Sequence, residues 1–243
     1  MTKACPQNRE SVSGVLYPDR WGQARVTRTT GALGDRVVKD YRRAGWLARL
    51  LWARLLARRE AAALCALEGL PGLPYGVVFE TPLVVSYNYI EGLPLRACEG
   101  RSLEYARVFN ELLALVKAIH ARGYVHLDTG NRGNVLIDTQ GEPHLIDFAS
   151  AIQTRCLPRF LARRLQRTDL MGVFKLWYRT APDTMPRRLQ RFFEKRYKKH
   201  IYSPQRLLNS FRRQELSTRY RLLPPSVLVL GLLAFLAYFV VTG

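Results

Sequence analysis

Residues 124–150 read YVHLDTGNRGNVLIDTQGEPHLIDFAS, and this stretch decides how the rest of the 243-residue chain is understood. Two apolar runs, 134–138 and 144–148, have the length and β-branched content of short strands. Thr139-Gln140-Gly141-Glu142 between them is a turn, so the pair predicts a hairpin. His126, Asp128, Asn131 and Asn134 lead into the hairpin, and Asp147 lies in its second strand. A carboxylate after a helix, and another on a strand, belong at a solvent-filled cleft rather than in a packed core, which makes both candidate chemical groups.

Upstream, 24–30 is β-permissive, 31–35 (GALGD) is a turn and 36–41 (RVVKDY) resumes a strand. The run 45–67, rich in Leu, Ala and Arg, predicts a helix that GLPGLP at 69–74 stops. Two more strands, 75–80 and 83–90, are separated by Thr81-Pro82, and a second helix runs from an N-cap at Ser102 to Arg122-Gly123. Its apolar face comprises Phe109, Leu112, Leu113, Leu115, Val116 and Ile119. Everything after residue 148 reads helical. The expected fold is α+β: a small, mostly antiparallel β unit with one helix, followed by a short helical unit.

Phosphoryl transfer from ATP needs a cation for the phosphates, a carboxylate to hold that cation, a carboxylate for the acceptor hydroxyl, and oxygen ligands for metal ions. The chain supplies them in order. Lys39 follows Val37 and Val38 in a strand, and Glu60 lies on the next helix, where an ion pair between them aims the ammonium at the phosphates. Asp128, then Asn131 and Asn134, then Asp147 follow. Residues 124–150 resemble the catalytic core of the protein-kinase-like superfamily, in particular the small bacterial lipopolysaccharide (Kdo/heptose) kinases and the RIO-like serine/threonine kinases. The order of Lys39, Glu60, a hinge near 87–92, His126/Asp128, Asn134 and Asp147 extends the likeness over about 12–180.

The resemblance implies a bilobal fold that uses ATP and Mg²⁺. It makes Asp128 the residue that orients or deprotonates the acceptor hydroxyl, Lys39 and Glu60 the nucleotide-binding pair, and Asn134 and Asp147 the Mg²⁺ ligands at the ATP phosphates. Asp169, in RTDLMG, would brace the catalytic loop. The chain also departs from the family. Asp128 and Asn134 are six positions apart where five is usual, so one residue is inserted. Gly130 stands where a phosphate-directed lysine is usual, and Arg132 is expected to replace that charge. The motif DFG has become Asp147-Phe148-Ala149, no G-x-G-x-x-G precedes Lys39, and the helical unit is too short for the usual peptide-docking helices.

Composition bounds the remaining choices. At 48% hydrophobic the chain holds a real core, which excludes wholesale disorder. Cys5, Cys65, Cys98 and Cys156 form no C-x-x-C pair, so neither a zinc ribbon nor a disulfide scaffold is indicated, and a reducing compartment fits. The first ten residues lack an apolar stretch, so no cleaved secretory signal is expected. Lys and Arg number 38 against 19 acidic residues, a net charge of +19. Nineteen of those bases but only four of the acids fall in 155–221, a basic block that suits an anionic membrane surface. Residues 222–241 carry no charge and at 1.5 Å per residue reach about 30 Å, the length of a transmembrane helix. Arg219 and Arg221 precede them, which puts the kinase-like part on the cytoplasmic side of the inner membrane.

The expected organisation is thus an N-terminal tail (1–11), an N-lobe (12–91), a C-lobe with a basic juxtamembrane block (92–215) and a transmembrane helix (222–241). The expected activity is ATP-dependent phosphorylation of a hydroxyl on a membrane glycolipid or its sugar part, with no nucleic-acid partner. Two alternatives stay open: a serine/threonine kinase acting on a membrane-associated protein, and an inactive kinase-like scaffold.

Overall fold

The computed structural model describes residues 11–17, 24–31, 34–42, 53–100 and 102–196. The start of the expected helix at 45, the end of the basic block and the apolar run 222–241 lie outside the described residues. Among the described residues no helix is long and apolar enough to cross a membrane. The chain divides into two units after Gln190, and the architecture below belongs to the first.

Strands β1 (Ser11–Tyr17), β2 (Arg25–Gly31), β3 (Gly34–Asp40), β4 (Val78–Thr81) and β5 (Val84–Asn88) form one antiparallel sheet of order β1-β2-β3-β5-β4. Alternation along β3 buries Val37, Lys39 and the following Tyr41, while Val38 and Asp40 between them are half-exposed. Helix α1 (Arg54–Ala66) buries Ala57, Glu60, Ala61 and Leu64, the i, i+3, i+4, i+7 stripe of an amphipathic helix. Three of these four side chains are small or polar, so the helix approaches closely and still brings a carboxylate inside. Strand β1 was not anticipated from the sequence.

The helical part begins with β6 (Leu93–Pro94) and helix α2 (Tyr105–Ala121). All six apolar residues expected on the inner face of α2 are buried. Its N-cap is Glu104 rather than Ser102: the Tyr105 N–H bonds Leu103 O, and the Tyr105 hydroxyl donates to Cys98 O at 3.0 Å, which starts the helix two residues later. Strands β7 (Tyr124–Val125), β8 (Val135–Ile137) and β9 (Pro143–Leu145) follow. The β8–β9 hairpin pairs Val135 with Leu145, and β6 joins it on the far side of β8. The Asp138 carboxylate accepts the N–H groups of Gln140 and Glu142 and so closes the turn.

The second strand of this hairpin ends before the expected boundary at 148. Asp147 has φ 68°, which no strand accommodates, and Phe148–Ser150 form a 3₁₀ turn. Nor is everything beyond it helical, because β10 (Ile152–Gln153) returns to pair with β7. Helix α3 (Arg159–Thr180) then packs on α2, with the Trp177 ring stacked on Phe109 at 5.3 Å. Helix α4 (Arg187–Arg196), the last described element, begins in this unit and continues past its boundary at Gln190.

Gly172 is in the middle of α3, where glycine costs about 1 kcal/mol relative to alanine. A Cβ at this position would overlap Thr129 Oγ1 and stand 2.9 Å from the Gly130 nitrogen, so the missing side chain is what lets α3 touch the loop after β7. Propensity and contact therefore predict opposite signs for Gly172→Ala. The contact should win, with a net loss of about 1–3 kcal/mol in urea denaturation; a stabilised variant would show that helix and loop are not in contact.

Candidate active site

Lys39 is 6% exposed and lies on the face of β3 that α1 covers. Its Nζ donates to Glu60 Oε1 and to Asp147 Oδ1, each at 2.6 Å. Burial opposes the ammonium, yet the carboxylates of Glu60 and Asp147 outweigh it and hold its pKa well above the ordinary lysine value. Glu60 is fully buried and also accepts the Tyr41 hydroxyl at 3.1 Å. Burial pushes its carboxyl up, while Lys39 and Tyr41 favour the ionised form. Beside Lys39, Asp147 is held below the usual carboxylate range, and its side chain remains 45% exposed. One ammonium thereby ties together a strand, a helix and the end of the hairpin.

A second buried carboxylate sets the loop between β7 and β8. Asp169 on α3 accepts the N–H of His126 at 2.8 Å and of Leu127 at 2.7 Å, and its Oδ2 lies 3.0 Å from His120 Nε2. This holds Leu127 at φ 64°, a conformation that costs a non-glycine residue about 1–3 kcal/mol. His126 is buried between the loop and the hairpin. The Asp128 N–H points to its Nδ1 at 3.2 Å, and its Nε2 lies 3.1 Å from Ile146 O, which assigns the proton to Nε2. Its ring meets Phe148 edge-on at 4.6 Å.

The loop presents Asp128 with defined partners. Asp128 Oδ2 accepts from Asn134 Nδ2 at 2.7 Å and from Asn131 Nδ2 at 3.1 Å. Asn131 Oδ1 is occupied by the Gly133 N–H at 3.0 Å, whereas Asn134 uses only its amide nitrogen on Asp128. The extra residue is absorbed in this tight turn. Arg132, the residue expected to supply a charge for the phosphates, pairs with Glu99.

A cavity of about 580 Å³ runs from the sheet to the hairpin. Lys39, Asn134 and Asp147 line it at one end, Val26, Val37, Leu136 and Ile146 supply apolar walls, and the 87–92 segment forms its edge. The Arg28 guanidinium, bound to Asp35, covers Tyr89 of that edge at 4.1 Å. Asp147 and Asn134 offer carboxylate and amide oxygens, donors that suit a hard cation sharing its shell with phosphates and water. Among the described residues no cluster of three or more His, Cys, Asp or Glu could hold a metal alone.

The structure thus brings Lys39, Glu60, Asn134 and Asp147 together and ties Asp128 to Asn134. Sequence reasoning missed Tyr41 and Arg28. Tyr41 was within reach, since it lies two residues from Lys39 and so on the same face. Arg28 carried no signal beyond a charge in a strand.

The chain is similar to the Rio2 kinase from Chaetomium thermophilum in two crystal structures. One is its ADP/Mg²⁺-phosphoaspartate complex (TM-score 0.56, 19% identity, 77% of this chain and 62% of that one covered). The other is the Rio2 kinase itself (TM-score 0.56, 19% identity, 77% and 64% covered). The fold is protein-kinase-like. The five-stranded antiparallel sheet with α1 corresponds to the N-lobe of that fold. The chain spans less than two thirds of the length of these two relatives. No protein-family model matches it, and no curated protein sequence does.

Two predictions follow the burial of these groups. Glu60→Ala removes the buried partner of Lys39 and should cost about 3–5 kcal/mol, whereas Asp147→Asn, at a half-exposed position, should cost no more than about 1 kcal/mol. Equal losses in chemical denaturation would show that the Lys39 ammonium does not depend on the buried carboxylate. The second concerns pH. Burial lowers the pKa of His126, so below its ordinary value of about 6.5 the unfolded chain binds a proton that the folded chain refuses. Stability should fall as pH drops from about 6.5 toward the lowered value. His126→Asn should flatten that part of the stability profile, and an unchanged slope would assign it to another group.

Proposed function

We propose that the protein is an ATP-dependent phosphotransferase. The observation that carries this reading is the Lys39 ammonium shared by Glu60 and Asp147 at the end of a nucleotide-sized cavity that Asn134 also lines. Lys39 would hold the α- and β-phosphates, with Glu60 keeping the ammonium in place. The apolar walls would take the base, and the 87–92 edge would bound it. Asn134 and Asp147 would hold Mg²⁺, whose charge offsets that of the phosphates. Asn134 rather than Asn131 suits this role, because Asn131 Oδ1 is committed to Gly133.

Asp128 then acts on the acceptor. Its Oδ2 is fixed by two amide groups, which leaves Oδ1 to accept the proton of an incoming hydroxyl. That hydroxyl oxygen bonds to the γ-phosphorus while the bond to the bridging oxygen breaks, and ADP leaves with the electron pair. Fixing the carboxylate beside the cavity supplies orientation, the larger part of catalysis for this reaction.

For the acceptor we infer a hydroxyl of a membrane glycolipid or its sugar part, as in a lipopolysaccharide kinase. Support comes from the basic excess of 155–221 directly before the uncharged run 222–241, a sequence suited to a C-terminal anchor in the inner membrane beside an anionic lipid surface. The likeness in fold to the Rio2 kinase favours a second reading, phosphorylation of a protein on serine or threonine.

The test is transfer of labelled γ-phosphate from ATP in the presence of Mg²⁺, with lipid extract and total protein as competing acceptors. Label in lipid is expected. Label confined to protein would establish the second reading, and no transfer to either together with no turnover of MgATP would point to a kinase-like scaffold. Asp128→Asn and Asp147→Asn should each lower transfer by about 10²-fold or more while the folded state persists. Near-normal turnover in either would remove its role.

A further inference from the structure

We propose that Lys175, on helix α3, supplies the cation that the catalytic loop itself lacks and holds the phosphoryl group as it passes from ATP to the acceptor; this rests on the phosphotransferase reading. Between Asp128 and Asn134 the only basic side chain is Arg132, and it is tied to Glu99. Gly130 stands two residues after Asp128. A Cβ built there would meet Lys175 Nζ at 2.8 Å and Cε at 3.2 Å, so the lysine tip occupies the space into which a side chain at 130 would project. The loop has a glycine at this position because another element has filled it.

Three further observations separate this lysine from an ordinary helix-surface cation. It is half-buried, where an ammonium without partners is disfavoured. It makes no hydrogen bond or ion pair with any described residue. Burial and the like charge of Arg179 both disfavour its charged form, and Asp128 is the group that favours it. A lysine governed by solvation alone would extend into water, away from Arg179. This one lies along Gly130, where Gly172, one turn earlier, has brought α3 against the loop.

The two lysines divide the work. Lys39 lines the cavity with Asn134 and Asp147 and addresses the phosphates that stay with ADP. Lys175 does not line that cavity and stands on the Asp128 side, where the new bond forms. As the acceptor oxygen bonds to the γ-phosphorus and the bridging bond breaks, the hydroxyl proton goes to Asp128. Negative charge then lies on the three equatorial oxygens in flight, and an ammonium placed there stabilises the transition state more than bound ATP.

The experiment uses the full chain and needs no knowledge of the acceptor. Its readouts are MgATP turnover to ADP with water as acceptor, the affinity for MgADP, and the retention of MgADP with aluminium fluoride, a mimic of the phosphoryl group in flight. Lys175→Met keeps the aliphatic stem and removes the charge. It should leave MgADP affinity within about twofold, lower kcat by about 10²-fold and weaken aluminium fluoride retention to a similar degree. Adding Gly130→Lys to Lys175→Met returns a cation to the vacated space from the loop side, and should recover much of both losses.

Turnover and retention equal to wild type in Lys175→Met would overturn the proposal. So would a loss that Gly130→Lys does not repair, accompanied by a lower melting temperature, since that assigns Lys175 to packing. A wild-type protein that neither turns over MgATP nor retains aluminium fluoride would overturn the phosphotransferase reading, and the role of Lys175 with it. Activity in the wild type with no effect of Lys175→Met removes only the role of Lys175.

Discussion

The buried contact of Lys39 with two carboxylates is the constraint on which the arrangement of the nucleotide cavity depends. An ammonium taken out of water costs several kcal/mol unless its charge is answered at close range, and here Glu60 and Asp147 answer it from two segments remote in sequence. Each partner needs the others. Glu60 enters the interior only because α1 carries alanines at neighbouring inward positions, so the helix backbone comes close enough for a short reach. Asp147 leaves the strand conformation at the point where its carboxylate meets Lys39, and that turn sends Phe148 into the core. Arg59, beside Glu60, donates to Ala151 O at 3.0 Å, so α1 also holds the segment after Asp147 directly.

Charge balance follows from the same contact. Lys39 brings one positive charge and its two partners two negative ones, so the end of the cavity keeps an excess of negative charge on the exposed Asp147 side. That excess favours a cation there before any phosphate arrives, and a phosphate alone would meet repulsion. The neighbouring loop is arranged independently: its order comes from the Asp169 carboxylate and from the amides around Asp128, with no contribution from Lys39. The two constraints meet at His126, whose ring nitrogen reaches Ile146 O one residue before Asp147.

Local pattern made much of this fold legible in the sequence. The β2–β3 hairpin, α2 and the β8–β9 hairpin have clear periods and strong turn residues, and each is present. What failed was governed by distant partners. The strand ending at Leu145 instead of 148 reflects the pull of a lysine 108 residues earlier on Asp147. The β7–β10 ladder has two residues on each side, too few for alternation to register. Strand β1 pairs with β2 through two register shifts around Gly14, which blur its period. Within the site, Asp128, Asn134 and Asp147 stood out because polar residues cluster in a stretch otherwise made of strands. Lys175 was passed over because whether a helix cation reaches a loop depends on helix packing, and a glycine in GVFKLWY does not announce the neighbour it makes room for.

Asp169 reaches 43 and 42 residues back along the chain to hold the N–H groups of His126 and Leu127. The Leu127 N–H, at positive φ, is held by this distant carboxylate, so the loop draws part of its working shape from a remote partner. Contacts of this separation form late, after the loop-closure entropy of the intervening chain has been met by other interactions. The β8–β9 hairpin, closed by its own turn, needs no such help. During folding the hairpin can therefore precede the reactive loop, which becomes ordered only when α3 docks, and the cavity closed by the still longer-range Lys39–Asp147 contact shares that late course. A chain emerging from synthesis holds all of Asp128, Asn134 and Asp147 well before it holds them in a usable order, and that interval ends with the arrival of a single carboxylate.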